Sequence, residues 1–384
     1  TGGNITFGGD VFSGGGFYST TNPAAGMVTK LAGNAQVEEN VVISGNLEII
    51  SSNARIDNSF LSGTHDLTIQ GNITGSGLNF ELKSGVGNIS IQGTIGSGAP
   101  MGNLVANGDG SFLVSGSVNA NSFTLGATKS FANFVRFADT VTVSEPQSSN
   151  QQGLKVVTTA AGNIILEKPV SALNAALVYL ESAGGDIDVS AATITSATGR
   201  INLVSAYGSI LSGVITSSGG HIRVENTNTG SATTNGTIST TGNGTITLES
   251  AGTMNILGAV SSVHGGIVIQ SDRTGGFATV HVKNTVTTTG NGSILLKALN
   301  TGTNSVVVSK GATITSGGQI EIVTNGTSNT ISLASGSNVT AVGNVLGSGT
   351  GTLTLSDNIV TSGEINLKNG FSSNPMGVQL AANV

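Results

Sequence analysis

Cysteine and tryptophan are absent from the 384 residues, and proline occurs only five times. Without cysteine there are no disulfides and no thiolate metal sites. That absence fits a protein exposed on a bacterial surface without requiring one. Charge is scarce too: Asp, Glu, Lys and Arg make up 9% of the chain, and the formal net charge is −6. The 14 basic residues are spread thinly, whereas nucleic-acid binders concentrate Lys and Arg against phosphates. A nucleic-acid partner is therefore not expected. No apolar run approaches the roughly 20 residues of a membrane helix, so membrane insertion is not expected either. The chain starts at Thr1 without a charged and apolar leader, as expected of a processed product or an excised fragment.

What is present is glycine, at 58 positions, together with Val, Ile, Thr, Ser and Asn. The glycines do not recur at every third residue, which excludes collagen. A mean hydropathy of +0.21 and regularly recurring apolar positions argue against disorder. Abundant β-branched residues between Gly, Ser and Asn turns read as an all-β chain.

A repeat organises the chain. In 213–225, GVITSSGGHIRVE, two short β-type runs flank a Ser/Gly turn. Near-copies stand at 193–203, 236–249, 259–270, 285–297, 312–322 and 359–367. The first Ile of each second strand, Ile222, Ile246, Ile267, Ile294 and Ile320, recurs after 24, 21, 27 and 26 residues. Ile215, Ile238, Val260, Val286 and Ile314 precede these by 6 to 8 residues. Constant local spacing with a variable remainder means two fixed strands and one adjustable connection per repeat. Earlier, GNLEII, HDLTIQ and GNISIQ carry the same alternation, with anchors Leu47, Leu67 and Ile89 at intervals of 20 and 22.

A strand with two inward residues cannot bury them alone, but identical strands of successive coils can stack in parallel about 4.8 Å apart. Ile222, Ile246, Ile267, Ile294 and Ile320 then form one inward column, and Val224, Leu248, Ile269, Leu296 and Ile322 the next. The expected fold is an all-β β-solenoid, a right-handed parallel β-helix of roughly 16 coils forming a rod of about 75 Å. A propeller fits less well, because its four-stranded blades repeat at ~40–50 residues. Corner glycines are expected to take positive φ, and corner asparagines to share that region and stack their amides. Four sections are expected: an irregular 1–40, regular coils over 41–100, atypical Phe-rich coils with a polar loop over 101–160, and regular coils over 161–384.

The strands GRINL, GTITL, GEINL and GNISI, joined by Ser/Thr/Gly turns, resemble the repeats of filamentous-haemagglutinin-like bacterial adhesins. The resemblance covers most of 40–370 and implies a long secreted β-helix at the cell surface. Such adhesins begin with a secretion domain carrying Asn-Pro-Asn motifs, of which Asn22-Pro23 is only an echo.

Reactive groups are sparse. Asp186 and Asp188 share one strand face. Glu225 and Glu249 fall at equivalent outward positions of neighbouring coils, with Gln270 and Lys297 next. Such a pair either holds Ca²⁺ or is solvated, and the solvated reading is preferred because nothing completes a coordination shell. The scattered His65, His221, His264 and His281 read as turn residues, so no metal, cofactor or catalytic residue is expected. Outward Thr arrays are interrupted by Ser, Val and His, against an ice-binding lattice, and the N-x-S/T triplets at Asn72, Asn88, Asn235, Asn243, Asn291, Asn325 and Asn338 are of chance frequency. Phe112, Phe123, Phe131, Phe134 and Phe137 cluster beside the polar loop 145–153. They either fill wider coils or form a contact surface for a partner or glycan.

These features point to a non-enzymatic, extracellular structural or adhesive rod of a bacterial surface, stacking end to end, with a glycan or cell-surface receptor as candidate partner. The alternatives are a polysaccharide-degrading or tailspike-type β-helix enzyme, which needs clustered carboxylates, and a glycan-binding module without turnover.

Overall fold

The structure is a computed structural model of the whole chain. It describes all residues except 1–3, 22–25, 61, 145–152, 160, 273–276, 300–301, 326–327, 350–351, 357–358, 370–376 and 381–384. Two segments singled out in the sequence, the polar loop up to residue 152 and Asn22-Pro23, lie outside the described residues. The chain divides into two compact units, Thr1–Gly199 and Arg200–Val384. Each is an all-β solenoid of stacked parallel coils.

Each coil has three faces, most carried by separate strands, while Val118–Leu125 and Ile210–Ser217 each run across two faces and Ile95 is held only by isolated bridges. In the first unit, one face stacks Ile5, Thr29, Leu47 and Ile73 in register. A second stacks Val11, Ala35, Ile56, Leu82, Ala106 and Leu125. The third stacks Phe17, Val41, Leu67, Ile89, Phe112, Val135, Ile164 and Ile187. In the second unit the corresponding third face runs Ile210, Ala232, Met254, Val280, Val306, Ile331, Leu353 and Val378. The stacked coils make about 14 turns in all, close to the roughly 16 expected.

The inward columns read from the repeat are present. Ile222 pairs with Ile246, then Ile267, Ile294 and Ile320 follow in register. All five are buried, as are Val224, Leu248, Ile269, Leu296 and Ile322. Each buried aliphatic side chain contributes roughly 1.5–3 kcal/mol relative to exposure, which is why the alternation persists while the outward residues drift.

Three expectations change. Of the two or three strands that each repeat allows, the larger number is found, because the adjustable connection is itself a strand: Ala232–Thr234, Thr253–Ile256, Ala278–Val282, Thr303–Val308 and Ser328–Leu333. Its length varies from coil to coil, which hides it from a search for constant spacing. Leu47, Leu67 and Ile89 do not share a column. Leu47 stacks against Ile73 on the first face, whereas Leu67 pairs with Val41 and Ile89 on the third. All three faces need the same inward alternation, so local pattern does not say which face a strand occupies. Residues 1–40, expected to be irregular apart from a short strand at Ile5–Phe7, carry that strand and also Val11–Ser13, Phe17–Ser19, Val28–Leu31 and Asn34–Val37. Their glycines fall between three-residue strands and do not interrupt the coil.

The corners rest on two devices. The last residue of many strands is a buried Ser or Thr whose hydroxyl ties down the following turn. Thr240 Oγ1 donates to Gly244 O at 2.9 Å, Thr288 Oγ1 to Gly292 O at 2.6 Å, and Ser205 Oγ to Gly208 O at 3.1 Å. Ser217 Oγ accepts the Gly220 N–H at 2.8 Å. Ser217, Thr240, Ser262 and Thr288 stand in register, and Thr240 and Ser262 exchange a hydrogen bond at 3.1 Å. These bonds satisfy backbone groups that burial would otherwise leave unpaired.

The second device corrects the expectation about glycine. Gly244 lies outside the left-handed region. A Cβ there would overlap the carbonyl oxygen of Gly220 on the adjacent coil and sit 2.8 Å from that carbonyl carbon. Glycine is required because two backbones pass close together. Positive φ serves elsewhere, as at Gly311, with φ of 79° and open space around it. Corner asparagines also act differently from expectation. The Oδ1 atoms of Asn46, Asn72 and Asn88 accept the N–H of Asn72, Thr94 and Ser111 on the next coil at 2.9, 2.9 and 3.0 Å. An amide-to-amide contact joins Asn79 Nδ2 to Asn53 Oδ1 at 3.4 Å, and Asn53 does take positive φ.

Candidate functional site

Glu225 and Glu249 are neighbours in register on the second face, followed by Gln270 and Lys297. Arg223, two residues before Glu225 on the same strand, points outward with them. Its Nη2 lies 2.7 Å from Glu225 Oε2 and 3.7 Å from Glu249 Oε2. The guanidinium supplies the positive charge that a calcium ion would have brought. Partial burial raises the pKa of Glu225 above its ordinary value; Arg223 opposes that shift and the Glu249 charge adds to it. The group is a three-membered ion network and offers no open coordination set.

The phenylalanine cluster divides. Phe112, Phe123, Phe131 and Phe137 are buried, with exposures of 0–2%. Phe112 packs against Phe123, Phe131 and Phe137 at centroid separations of 5.7, 5.5 and 6.0 Å. Phe123 meets Phe137 edge-on at 5.8 Å. These four rings are core, and the reading of them as a partner surface is corrected. Phe134, adjacent to inward Val135, is half-buried. Exposed aromatic side chains stand elsewhere, at Phe12, Tyr18, Phe60, Tyr207 and Phe277.

Most carboxylates facing solvent are committed to basic partners or turns. Asp109 pairs with Lys129 at 2.9 Å, Glu167 with Arg136 at 2.6 Å and Glu48 with Lys30 at 2.8 Å. Asp57, nearly buried, lies 3.8 Å from Arg55 Nε and 3.6 Å from Lys83 Nζ. It also accepts the Ser59 hydroxyl at 2.6 Å. Asp188 accepts both the N–H and the hydroxyl of Ser190 on its own strand, at 3.0 and 2.6 Å.

The histidines remain apart. His221 Nδ1 sits 2.8 Å from Thr245 Oγ1 and accepts the Thr245 N–H at 3.1 Å, taking the place of an asparagine in the coil-to-coil ladder. His281 Nε2 lies 2.9 Å from Ser309 Oγ. Its pKa is lowered, mainly by burial and then by Lys283. His65 is half-buried and His264 exposed. Among the described residues no three His, Asp or Glu side chains converge as a metal site would require.

Two surface features remain. On the first face of the second unit, the outward side chains Thr216, Ser239, Ser261, Thr287, Thr315 and Thr340 stand in register on six successive coils. Their flanks include further hydroxyls, and Thr313 Oγ1 donates to Thr285 Oγ1 at 3.1 Å. The T-x-T spacing in TVTTTG is the signal for this column, in which Val286 turns inward between Thr285 and Thr287. The second feature is an open depression lined by Asn243, His264, Gly290 and Asn291 at stacked corners. These residues occupy the Gly turns of three successive repeat copies, 236–249, 259–270 and 285–297, so the repeat brings them together.

Compared with known proteins, the chain matches no family model, no curated protein and no solved structure.

Proposed function

We propose that this chain is an extracellular structural or adhesive component of a bacterial surface, built from coils of the filamentous-haemagglutinin-like kind. The observation that carries this reading is the hydroxyl column Thr216, Ser239, Ser261, Thr287, Thr315 and Thr340, six coils long and without a charged side chain. A regular non-ionic surface of donors and acceptors suits repeated weak contacts with a hydroxyl-rich glycan or with a protein on another cell. The ion pairs from Glu48 to Lys30, Asp109 to Lys129 and Glu167 to Arg136 fit the same reading, because each ties one coil to the next.

End-to-end association is part of the proposal. Parallel strands carry donors and acceptors along both edges, so a coil of one copy can pair with a coil of another.

The experiment is binding to a glycan array and to intact cells, comparing the native chain with a Thr287→Lys/Thr315→Lys double variant. Bound signal that falls with the double variant supports the hydroxyl face as the contact surface. Equal binding by both removes that face from the function. Turnover of any polysaccharide on the array would replace the adhesive reading with an enzymatic one. Sedimentation velocity over a wide concentration range tests self-association, and a strictly monomeric profile counts against it.

A further inference from the structure

Asn-Gly occurs six times, at 107, 235, 243, 291, 325 and 369. This dipeptide is chemically distinctive, because a glycine nitrogen carries no side chain on its α-carbon to block approach to the preceding side-chain amide. Four of the six pairs have both residues described, and the fold treats them in two ways.

Two are held. Asn107 is 1% exposed; its Oδ1 accepts the Thr128 N–H at 2.9 Å and its Nδ2 donates to Glu81 at 3.3 Å. The following Gly108 N–H donates to Lys129 O at 3.3 Å. At the second, Asn235 is exposed like the pair below, but both Asn235 and Gly236 donate their backbone N–H groups to Ser212 O, at 2.9 and 3.3 Å.

The other two lack these backbone bonds, although Gly244 and Gly292 are themselves buried. Asn243 and Asn291 are exposed and line the same depression. Neither their side-chain amides nor the N–H groups of Gly244 and Gly292 donate to any described residue. His264 lies between them on the intervening coil, its ring packed over Gly290: a Cβ on that glycine would come within 2.5 Å of Nδ1.

We infer that Asn243 and Asn291 are modification sites, converting spontaneously to aspartyl and isoaspartyl residues while Asn107 and Asn235 persist as amides. The glycine nitrogen, losing its proton to solvent base, attacks the asparagine Cγ. A new C–N bond forms, the bond from Cγ to the side-chain nitrogen breaks, and ammonia leaves after taking up a proton. Water then opens the cyclic imide at either carbonyl, giving aspartate or isoaspartate. No oxidant or reductant is needed, and the net change is amide to carboxylate with a mass gain of about one dalton. The depression thereby changes from uncharged to acidic on both sides of His264.

The test is peptide mapping by mass spectrometry of the intact folded chain incubated at mildly alkaline pH, with an enzymatic isoaspartate assay. Conversion at 243 and 291 is expected to exceed that at 107 and 235 by about tenfold or more, since the held amides react only through local opening. A parallel incubation in urea removes the fold, and all four sites should then convert at similar rates. Equal rates at the four sites in the folded chain, or no conversion at 243 and 291 while the urea sample reacts, would overturn the inference.

Discussion

Replacing Gly244 tests why the corners of this solenoid carry glycine. An alanine Cβ at 244 would overlap Gly220 O and stand 2.8 Å from the Gly220 carbonyl carbon, against about 3.5–4.0 Å for an ordinary carbon contact. Coils lie only about 4.8 Å apart, so the corner must open by roughly 1 Å. That movement strains the bonds on either side, from Ile222 N–H to Thr245 O at 2.9 Å and from Ile246 N–H to Gly266 O at 3.0 Å. Overpacking of this kind costs about 1–3 kcal/mol. Gly311 is the contrast: its φ is 79° and no atom lies within 4 Å of the place a Cβ would take. Asparagine tolerates that backbone region, so Gly311→Asn should be mild, whereas Gly244→Asn should be at least as damaging as Gly244→Ala. Because a stack of coils opens locally, hydrogen exchange is the informative assay alongside denaturant melting. Amides of Ile222–Asn226 and Ile246–Ser250 should lose protection in the Gly244 variants, while those of Ser328–Leu333 keep it. Equal costs for the two asparagine variants, or a silent Gly244→Ala, would refute the close-approach argument.

Phe112→Ala removes the ring that three others pack against and should cost about 3–5 kcal/mol, read as a lowered denaturation midpoint; a cost below about 1 kcal/mol would mean the rings are not a packed core. Thr240→Val keeps the shape but removes the hydroxyl's bonds to Gly244 O and Ser262 Oγ, while Ser262 Oγ still donates to Gly244 O, so a loss of about 0.5–1.5 kcal/mol is expected, and a silent substitution would mean the Thr240 bonds add nothing to the corner. For His281 the depressed pKa means that, as pH falls below the ordinary 6.5, the unfolded chain binds the proton first; stability is lost on acidification through that window, and His281→Gln should flatten that part of the thermal-midpoint profile. Glu225 behaves in the opposite sense: its raised pKa means stability declines as pH rises above the ordinary 4.5, and Arg223→Gln should push its carboxyl titration further up in an NMR series, a result that an Arg223 without influence on Glu225 would not produce.

How far the chain explains itself can be judged at particular residues. The alternation Ile222-Arg223-Val224 and its copies determined the all-β class, the coil, the two inward columns and the outward placement of Glu225 and Glu249. Burial of an aliphatic column is enforced at every level, so its period is written into every repeat. The tertiary structure alone decided the rest. It placed Leu47 and Leu67 on different faces, because all faces impose the same alternation. It revealed a third strand in the variable connection, where pairing with the coils above and below substitutes for sequence regularity. It turned Phe112 and Phe123 inward, since a ring fits wherever neighbouring coils leave room. It also assigned Gly244 to a backbone contact and left Gly311 to a left-handed turn. A glycine looks the same in sequence whichever of these demands it meets; only the position of the neighbouring coil distinguishes them.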